Sequence, residues 1–183
     1  MGHRFLPLLL LAIPACAAIV PRVSLDEMVD QSFSIVHGTV RDSWCAWDNA
    51  HQIIWTHYRV EIRESLKGGE RGIVEISEPG GTVGGVGMGV SGAVPYAAGE
   101  EVVLFLYRTP VGYLRTVGHG QGKYTVGAAG RVRAAMEGHS LVDPAGRSLP
   151  RELAAVQALE GLPLDQLKLR VRSRLNRARP AGR

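Results

Sequence analysis

The sequence predicts a mainly β fold, a small barrel of roughly five or six strands with a short helix before it and one or two helices after it. Three observations indicate this class. Apolar and polar residues alternate in several short segments that are separated by turn-forming residues. Residues 80–92 contain seven glycines in thirteen positions, a density typical of strands that approach one another closely. The run Val102–Tyr107 is apolar throughout, as a buried strand is.

Residues 1–18 have the pattern of a signal peptide. A basic start, MGHR, precedes an apolar run of about ten residues and the small-residue sequence ACAA. We expect cleavage after Ala17 or Ala18 and therefore an exported protein, secreted or periplasmic. The alternative is a lipoprotein anchored at Cys16, which follows the sequence IPA. Ordinary cleavage leaves Cys45 as the one remaining cysteine, so a core without an internal disulfide is expected.

A helix and a long hairpin are predicted next. Ser24 and Glu27 have the spacing of a capping box, which predicts a short helix that ends near Gln31. Residues 33–40 alternate as a strand, and the sequence RDSWCAWDNAHQ is predicted to be a connecting loop. In the second strand, residues 53–64, the alternation places two sets of side chains on opposite faces: Ile54, Thr56, Tyr58, Val60 and Ile62 on one, and Trp55, His57, Arg59 and Glu61 on the other.

Shorter strands are predicted after the hairpin, and together they complete a β-barrel domain over residues 19–136. They cover residues 72–76, 102–107, 113–117, 123–126 and 131–136. The glycine-rich segment 80–92 lies between the first two of these. It lacks the Lys-Ser/Thr pair and the following helix of a phosphate loop, and no acidic residue is placed as a dinucleotide site requires. Close packing of strands is therefore its expected role.

Residues 137–177 are predicted to form a helical extension packed on the barrel, followed by a flexible basic tail, 178–183. Its helices are expected over Pro150–Leu159 and Leu164–Asn176. The second has one apolar stripe, formed by Leu164, Leu167, Val171 and Leu175. Seven basic and no acidic residues lie within 168–183, whereas residues 19–167 carry thirteen basic and seventeen acidic residues. The basic helix can contact an anionic surface by charge, and nucleic acid is not expected as a partner.

No catalytic residue, metal site or cofactor is predicted, because the histidines are scattered and no paired cysteines or HExxH motif occur. An alternative is a metal- or thiol-dependent hydrolase in which Cys45, His51 and His57 meet at the mouth of the hairpin. The three tryptophans either pack in the core or at the end of the barrel, or form a binding surface, because aromatic side chains are what carbohydrate- or protein-binding surfaces use. The predicted binding residues are Trp44, Trp47, His51 and Trp55.

The order of these motifs resembles a family of exported bacterial proteins whose function is uncharacterised. The shared features are the capped helix, an IV-x-G-x-V strand, a strand ending in LKG, a GG-x-x-GG segment, GEEVVLFL and QGK-[FY]-x-V, and they span residues 24–126. More distantly, the strands resemble the netrin-like barrel, of the oligonucleotide/oligosaccharide-binding (OB) type, found in tissue inhibitors of metalloproteinases. Those inhibitors chelate the protease zinc through an N-terminal cysteine held by disulfides. Only Cys16 could correspond here, and it lies in the predicted cleavage region, so the resemblance implies the barrel and not the inhibitory mechanism.

These observations together predict a non-enzymatic binding or interaction module outside the cytoplasm. Its expected partner is a secreted protein, such as a protease, or an envelope polymer such as a polysaccharide. The alternatives are the hydrolase described above and a structural or membrane-associated envelope protein.

Overall fold

The computed structural model describes residues 18–135, 139–142 and 159–178. Helix α1 spans Leu25–Gln31, helix α2 spans Leu164–Ala178, and a 3₁₀ turn covers His119–Gly122. The mainly β class is confirmed, with a short helix near the N-terminus and one near the C-terminus. The strands are β1 (Ala18–Pro21), β2 (Ser34–Trp47), β3 (Ile54–Lys67), β4 (Ile73–Pro79), β5 (Gly81–Val83), β6 (Val86–Met88), β7 (Glu101–Arg108), β8 (Leu114–Thr116), β9 (Lys123–Val126), β10 (Val132–Ala134) and β11 (His139–Val142).

Seven of the described strands form one antiparallel sheet. Its order is β10, β9, β7, β2, β3, β4, and β8 pairs with the last residues of β7. The first half of β2 pairs with both β7 and β3, whereas residues 42–47 pair with β3 alone. The sheet curls until β4 lies beside β8, but no backbone ladder joins these two strands. The predicted barrel is therefore open at this seam.

The curled sheet has a hydrophobic cluster on each face, and β7 belongs to both. Val103 and Phe105 point to the outer face, while Val102, Leu104 and Leu106 point to the inner face, and all of them are fully buried. The outer cluster is covered by α1 and α2 and contains Met28, Val29, Ile35, Val117, Tyr124, Val132, Leu159, Leu167 and Val171. The inner cluster contains Val36, Val40, Tyr58, Val60, Ile76, Val94, Tyr96 and Leu114.

The two helices form as their sequences predict. The backbone N–H of Glu27 donates to Ser24 Oγ at 3.2 Å and the backbone N–H of Ser24 donates to the Glu27 carboxylate at 2.7 Å, so the capping box is confirmed. In α2 the predicted stripe is also confirmed, because Leu167 and Val171 are fully buried and the stripe's outer members pack against the same cluster. Neither described helix has the length and hydropathy needed to cross a membrane.

The glycine-rich segment forms a small hairpin of β5 and β6. Gly84 and Gly85 make its two-residue turn, and their φ angles of 58° and 83° are those of a type I′ turn. The hairpin packs against the inner face of the β2–β3 end: a Cβ added at Gly81 would lie only 2.6 Å from Thr56 Oγ1 and 2.7 Å from Cys45 Sγ. Close packing, the predicted role of this segment, therefore holds at Gly81, whereas nothing lies within 4 Å of a Cβ added at Gly84, Gly85 or Gly89.

Two predicted boundaries are wrong. β2 continues to Trp47 through the segment predicted to be a loop, and the connection is reduced to residues 48–53. An irregularity between Val40 and Asp42 shifts the register there, which disguises the strand's alternation. The second difference is β11, a strand that lies within the predicted helical extension 137–177 and pairs in parallel with β1. Three predicted segments lie almost wholly outside the described residues. They are the signal peptide apart from Ala18, the helix Pro150–Leu159 apart from Leu159, and the basic tail apart from Ala178.

Candidate functional site

The three tryptophans are divided between the two faces of the long hairpin. Trp44 lies opposite His57 in the β2–β3 register, and Trp47 lies opposite Ile54. Because side chains alternate along a strand, Trp44 and Trp55 share the outer face and Trp47 lies on the inner face. The ring of Trp47 stacks on His51 in the connecting turn, with ring centroids 6.1 Å apart. The four predicted binding residues therefore do not form a single patch.

Trp44, Trp55, His57 and Tyr113 make up what we call the aromatic face. The rings of Trp44 and His57 are stacked, with centroids 5.1 Å apart and planes inclined by 20°. Tyr113, which precedes β8, meets Trp55 at 4.8 Å and the edge of His57 at 5.9 Å. His57 is only 8% exposed, whereas Trp44 is 41% exposed. A buried imidazole therefore supports an exposed indole.

His57 is held in place by β4. Its Nδ1 atom lies 2.8 Å from Ser77 Oγ and 3.1 Å from a carboxylate oxygen of Glu75. The cross-strand register explains this contact, since His57 is directly opposite Ser77. Hydrogen bonds and ring contacts together fix the orientation of His57 and, through the stack, that of Trp44.

Ion pairs border the aromatic face. Arg59 donates two hydrogen bonds to the Asp42 carboxylate, at 2.7 and 2.5 Å, and its guanidinium lies 5.8 Å from the centre of the Trp44 ring. These hydrogen bonds hold the pKa of Asp42 below its usual value. Arg115 lies 5.7 Å from the centre of the Trp55 ring and 3.3 Å from the Glu78 carboxylate.

The hydrolase alternative receives no geometric support. Cys45 lies on the inner face, 3.4 Å from Thr56 Oγ1, so the sheet separates it from His57. Ser77 and Glu75 both approach the same nitrogen of His57, whereas a catalytic histidine uses one nitrogen for the nucleophile and the other for the orienting carboxylate. Within the described ranges, no three His, Cys, Asp or Glu residues are grouped so as to hold a metal ion.

Glu78 joins β4 to β8 across the open seam. Its carboxylate accepts the backbone N–H of Thr116 at 2.9 Å and pairs with Arg115. Burial raises the pKa of Glu78, and these two partners only partly oppose that effect. The Thr116 hydroxyl is in turn hydrogen-bonded to Tyr96, whose own pKa is raised by burial. In a closed barrel, backbone hydrogen bonds would join these two strands. In this protein, a buried network of side-chain hydrogen bonds joins them instead.

A second buried network explains the GEE and QGK motifs. The Lys123 ammonium is almost fully buried and donates to the Pro95 carbonyl at 2.5 Å and to the Glu100 carboxylate at 2.8 Å. Burial raises the pKa of Glu100, but the hydrogen bonds from Lys123 and Thr125 outweigh it and keep that pKa below its usual value. Burial lowers the pKa of Lys123, against the opposing effect of Glu100. Neither Glu100 nor Lys123 was predicted from the sequence to have a role, although each is a charged residue next to the start of a strand, which is a visible signal.

Gln121, also in the QGK motif, ties down the N-terminal segment. Its side-chain carbonyl accepts the backbone N–H of Val23 at 2.8 Å, and its amide donates to the Pro21 carbonyl at 2.8 Å. The chain just before α1 is therefore fixed to the 3₁₀ turn, and this motif serves structure rather than ligand binding.

A groove of about 470 Å³ lies between α1, the turn after β3 and the end of α2. Its charged members are already engaged: the Lys67 ammonium donates to the Val29 carbonyl at 2.6 Å, and Asp30 pairs with Arg174 at 2.5 Å. The Ser65 hydroxyl donates to the Lys67 carbonyl and accepts the Gly69 N–H. The remaining lining is aliphatic or glycine, so the groove offers few free polar groups to a ligand.

The basic residues of α2 are largely matched by acids of the same molecule. Lys168 and Arg172 pair with Glu64, and Arg174 and Arg177 pair with acidic residues of α1, Asp26 and Asp30. Of the basic residues in α2, Arg170 alone forms no ion pair within the described part of the chain. Little of the helix's charge is left for contact with an anionic surface.

No protein-family model matches the chain, and a search of curated proteins finds no match either.

Proposed function

We propose that the protein is a non-enzymatic binding module that acts outside the cytoplasm, secreted or periplasmic, with the aromatic face as its binding surface. The observation that carries this proposal is the exposed indole of Trp44, 41% exposed on a support that is itself buried. Exposing a large apolar ring to water is unfavourable, and an aromatic side chain already held in one orientation loses little entropy on binding. Such side chains are the usual anchors of recognition surfaces.

The proposed binding surface differs from the set of four residues predicted from the sequence. Trp44 and Trp55 remain, and His57 and Tyr113 join them as their support. Trp47 and His51 lie on the other face of the hairpin and take no part. This separation provides a matched control, because Trp47 belongs to the same strand as Trp44.

The proposal is tested with the protein expressed with its N-terminal segment and purified after export. Mass spectrometry of the product identifies the N-terminus, for which we expect Ala18 or Ile19. Co-sedimentation and surface-immobilised binding assays then use peptidoglycan, a panel of polysaccharides and a panel of purified secreted proteases. We expect at least one to bind the unaltered protein, with binding weakened in Trp44→Ala and Trp55→Ala and retained in Trp47→Ala. Binding that is equally strong in all variants would refute the aromatic face as the surface.

A further inference from the structure

The charges around the aromatic face are paired with one another. Arg59 is paired with Asp42, Arg115 with Glu78, and His57 contacts Glu75. Each arginine beside the rings therefore already has a carboxylate partner. A surface that binds an acidic polymer needs unpaired cations to replace the polymer's counterions. Both arginines that border the aromatic face are paired, so this face suits an uncharged ligand.

The apolar part of the face is narrow. Of the rings in the aromatic face, that of Trp44 is exposed, while those of Trp55 and Tyr113 are half-buried. A whole aromatic side chain has about 150–250 Å² of surface, and Trp44 exposes 41% of its own. A stable protein–protein interface buries about 800 Å² on each partner, and its apolar centre extends over several residues. A single partly exposed indole is instead comparable in extent to one sugar ring.

Two carboxylates contact the immediate neighbours of this ring: Asp42 pairs with Arg59, and Glu75 contacts His57. The side chains of Asp42 and Glu75 are about half exposed, at 46% and 49%. An ionised carboxylate has about four acceptor positions, and Arg59 occupies two of those on Asp42. The remaining positions can accept hydroxyl protons. A flat apolar surface next to free acceptors matches a sugar, which has C–H faces and a rim of hydroxyl groups.

We propose that the aromatic face binds a neutral polysaccharide, with one sugar ring stacked on Trp44 and adjacent hydroxyl groups hydrogen-bonded to Asp42 and Glu75. This inference rests on the binding function proposed above and specifies its ligand.

Native affinity electrophoresis tests the proposal with the exported protein. Gels contain either a neutral polymer (β-glucan, glucomannan or glycogen) or an acidic one (alginate or heparin), at about 0.15 M salt. We expect retardation by at least one neutral polymer and by neither acidic one. Trp44→Ala should weaken that binding about fivefold or more, and Trp44→Phe should weaken it less, because a smaller ring still stacks. Trp47→Ala should bind as the unaltered protein does, and near-ultraviolet circular dichroism should show that the variants fold.

Each other outcome overturns the ligand assignment in a recognisable way. Binding to acidic polymers alone, lost at about 0.5 M salt, would show electrostatic recognition and leave the binding function intact. Binding to a protease but to no polymer, sensitive to Trp44→Ala, would show a protein partner and likewise leave that function intact. No binding to any probe would overturn both proposals.

Discussion

Glu78 is a buried carboxylate that accepts a hydrogen bond from the Thr116 backbone and so connects the two edges of the curled sheet. Its raised pKa shows that burial of the charge outweighs its favourable contacts. The protonated form of Glu78 is therefore more favourable in the folded protein than in the unfolded chain. Such a group is a structural connection whose contribution to stability depends on pH.

We expect Glu78→Gln to become relatively more stable as the pH rises. Because the folded-state pKa lies above the ordinary value of 4.5, the contribution of Glu78 to the free energy of unfolding is complete below that value and decreases as pH rises through the folded-state pKa. Glutamine does not titrate, and its carbonyl can still accept the Thr116 N–H. Urea denaturation at several pH values above 4.5 measures the difference in unfolding free energy, variant minus unaltered protein. If this difference instead falls with rising pH, the ion pair with Arg115 outweighs the burial of the Glu78 carboxylate.

Gly38 is required by a close contact between strands. A Cβ at this position would lie 2.3 Å from the carbonyl oxygen of Glu61 in the paired strand β3. We expect Gly38→Ala to lower the free energy of unfolding by about 1–3 kcal/mol, because the backbone of one strand has to shift. Gly89→Ala is the control, since nothing lies within 4 Å of its added Cβ, and its effect should stay within about 0.5 kcal/mol. Equal effects in chemical denaturation would contradict this explanation.

The sequence pattern shows where Gly38 lies, in the IV-x-G-x-V motif, but not why it is glycine. The atom that excludes a side chain belongs to Glu61, on the neighbouring strand. The same limit applies to the candidate site. Trp44 and Trp55 are recognisable as candidate binding residues, whereas Tyr113 joins them only because the curled sheet brings the residue before β8 to the end of the hairpin.

Among the elements, α2 is the one whose sequence most directly predicts its packing. Its stripe repeats with the helical period, which is a local property, and Leu167 in that stripe is fully buried. The end of β2 is the opposite case. The register shift between Val40 and Asp42 interrupts the alternation, so the strand is recognisable only from its partner β3. Pairing of β1 with β11 is similarly undetectable from either segment alone.

Two leucines of α2 provide a direct test of its docking. Leu167 is fully buried, whereas Leu169 is 64% exposed. We expect Leu167→Ala to reduce the free energy of unfolding by about 2–5 kcal/mol, through lost apolar burial and the cavity left behind. Leu169→Ala changes the same side chain in the same helix and should cost no more than about 0.5 kcal/mol. Similar losses in the two variants, measured by urea denaturation, would mean that α2 does not pack as described.

On the scale of the whole molecule, β7 connects the two hydrophobic clusters. Its residues are buried alternately in the outer cluster under the helices and in the inner cluster enclosed by the sheet. Neither cluster can be exposed to solvent without disrupting β7, which also contributes side chains to the other cluster. The described residues should therefore unfold as one cooperative unit.

Two spectroscopic signals can test this cooperativity at opposite parts of the structure. All three tryptophans lie at the end of the β2–β3 hairpin, so their fluorescence reports on that end of the sheet and on the candidate site. Circular dichroism at helical wavelengths reports mainly on α1 and α2. We expect the two urea transitions to have the same midpoint. Fluorescence that changes at clearly lower urea would show that the hairpin end unfolds by itself.

The seam between β4 and β8 has a geometric consequence for the sheet as a whole. In a closed barrel the separation of adjacent strands is set by the length of backbone hydrogen bonds. At this seam the two strands are joined by the side chain of Glu78, and by Ile76 and Leu114, which are buried in the same inner cluster. The length of one carboxylate side chain thus contributes to the curvature of the sheet, and with it to the position of Tyr113 next to the tryptophans.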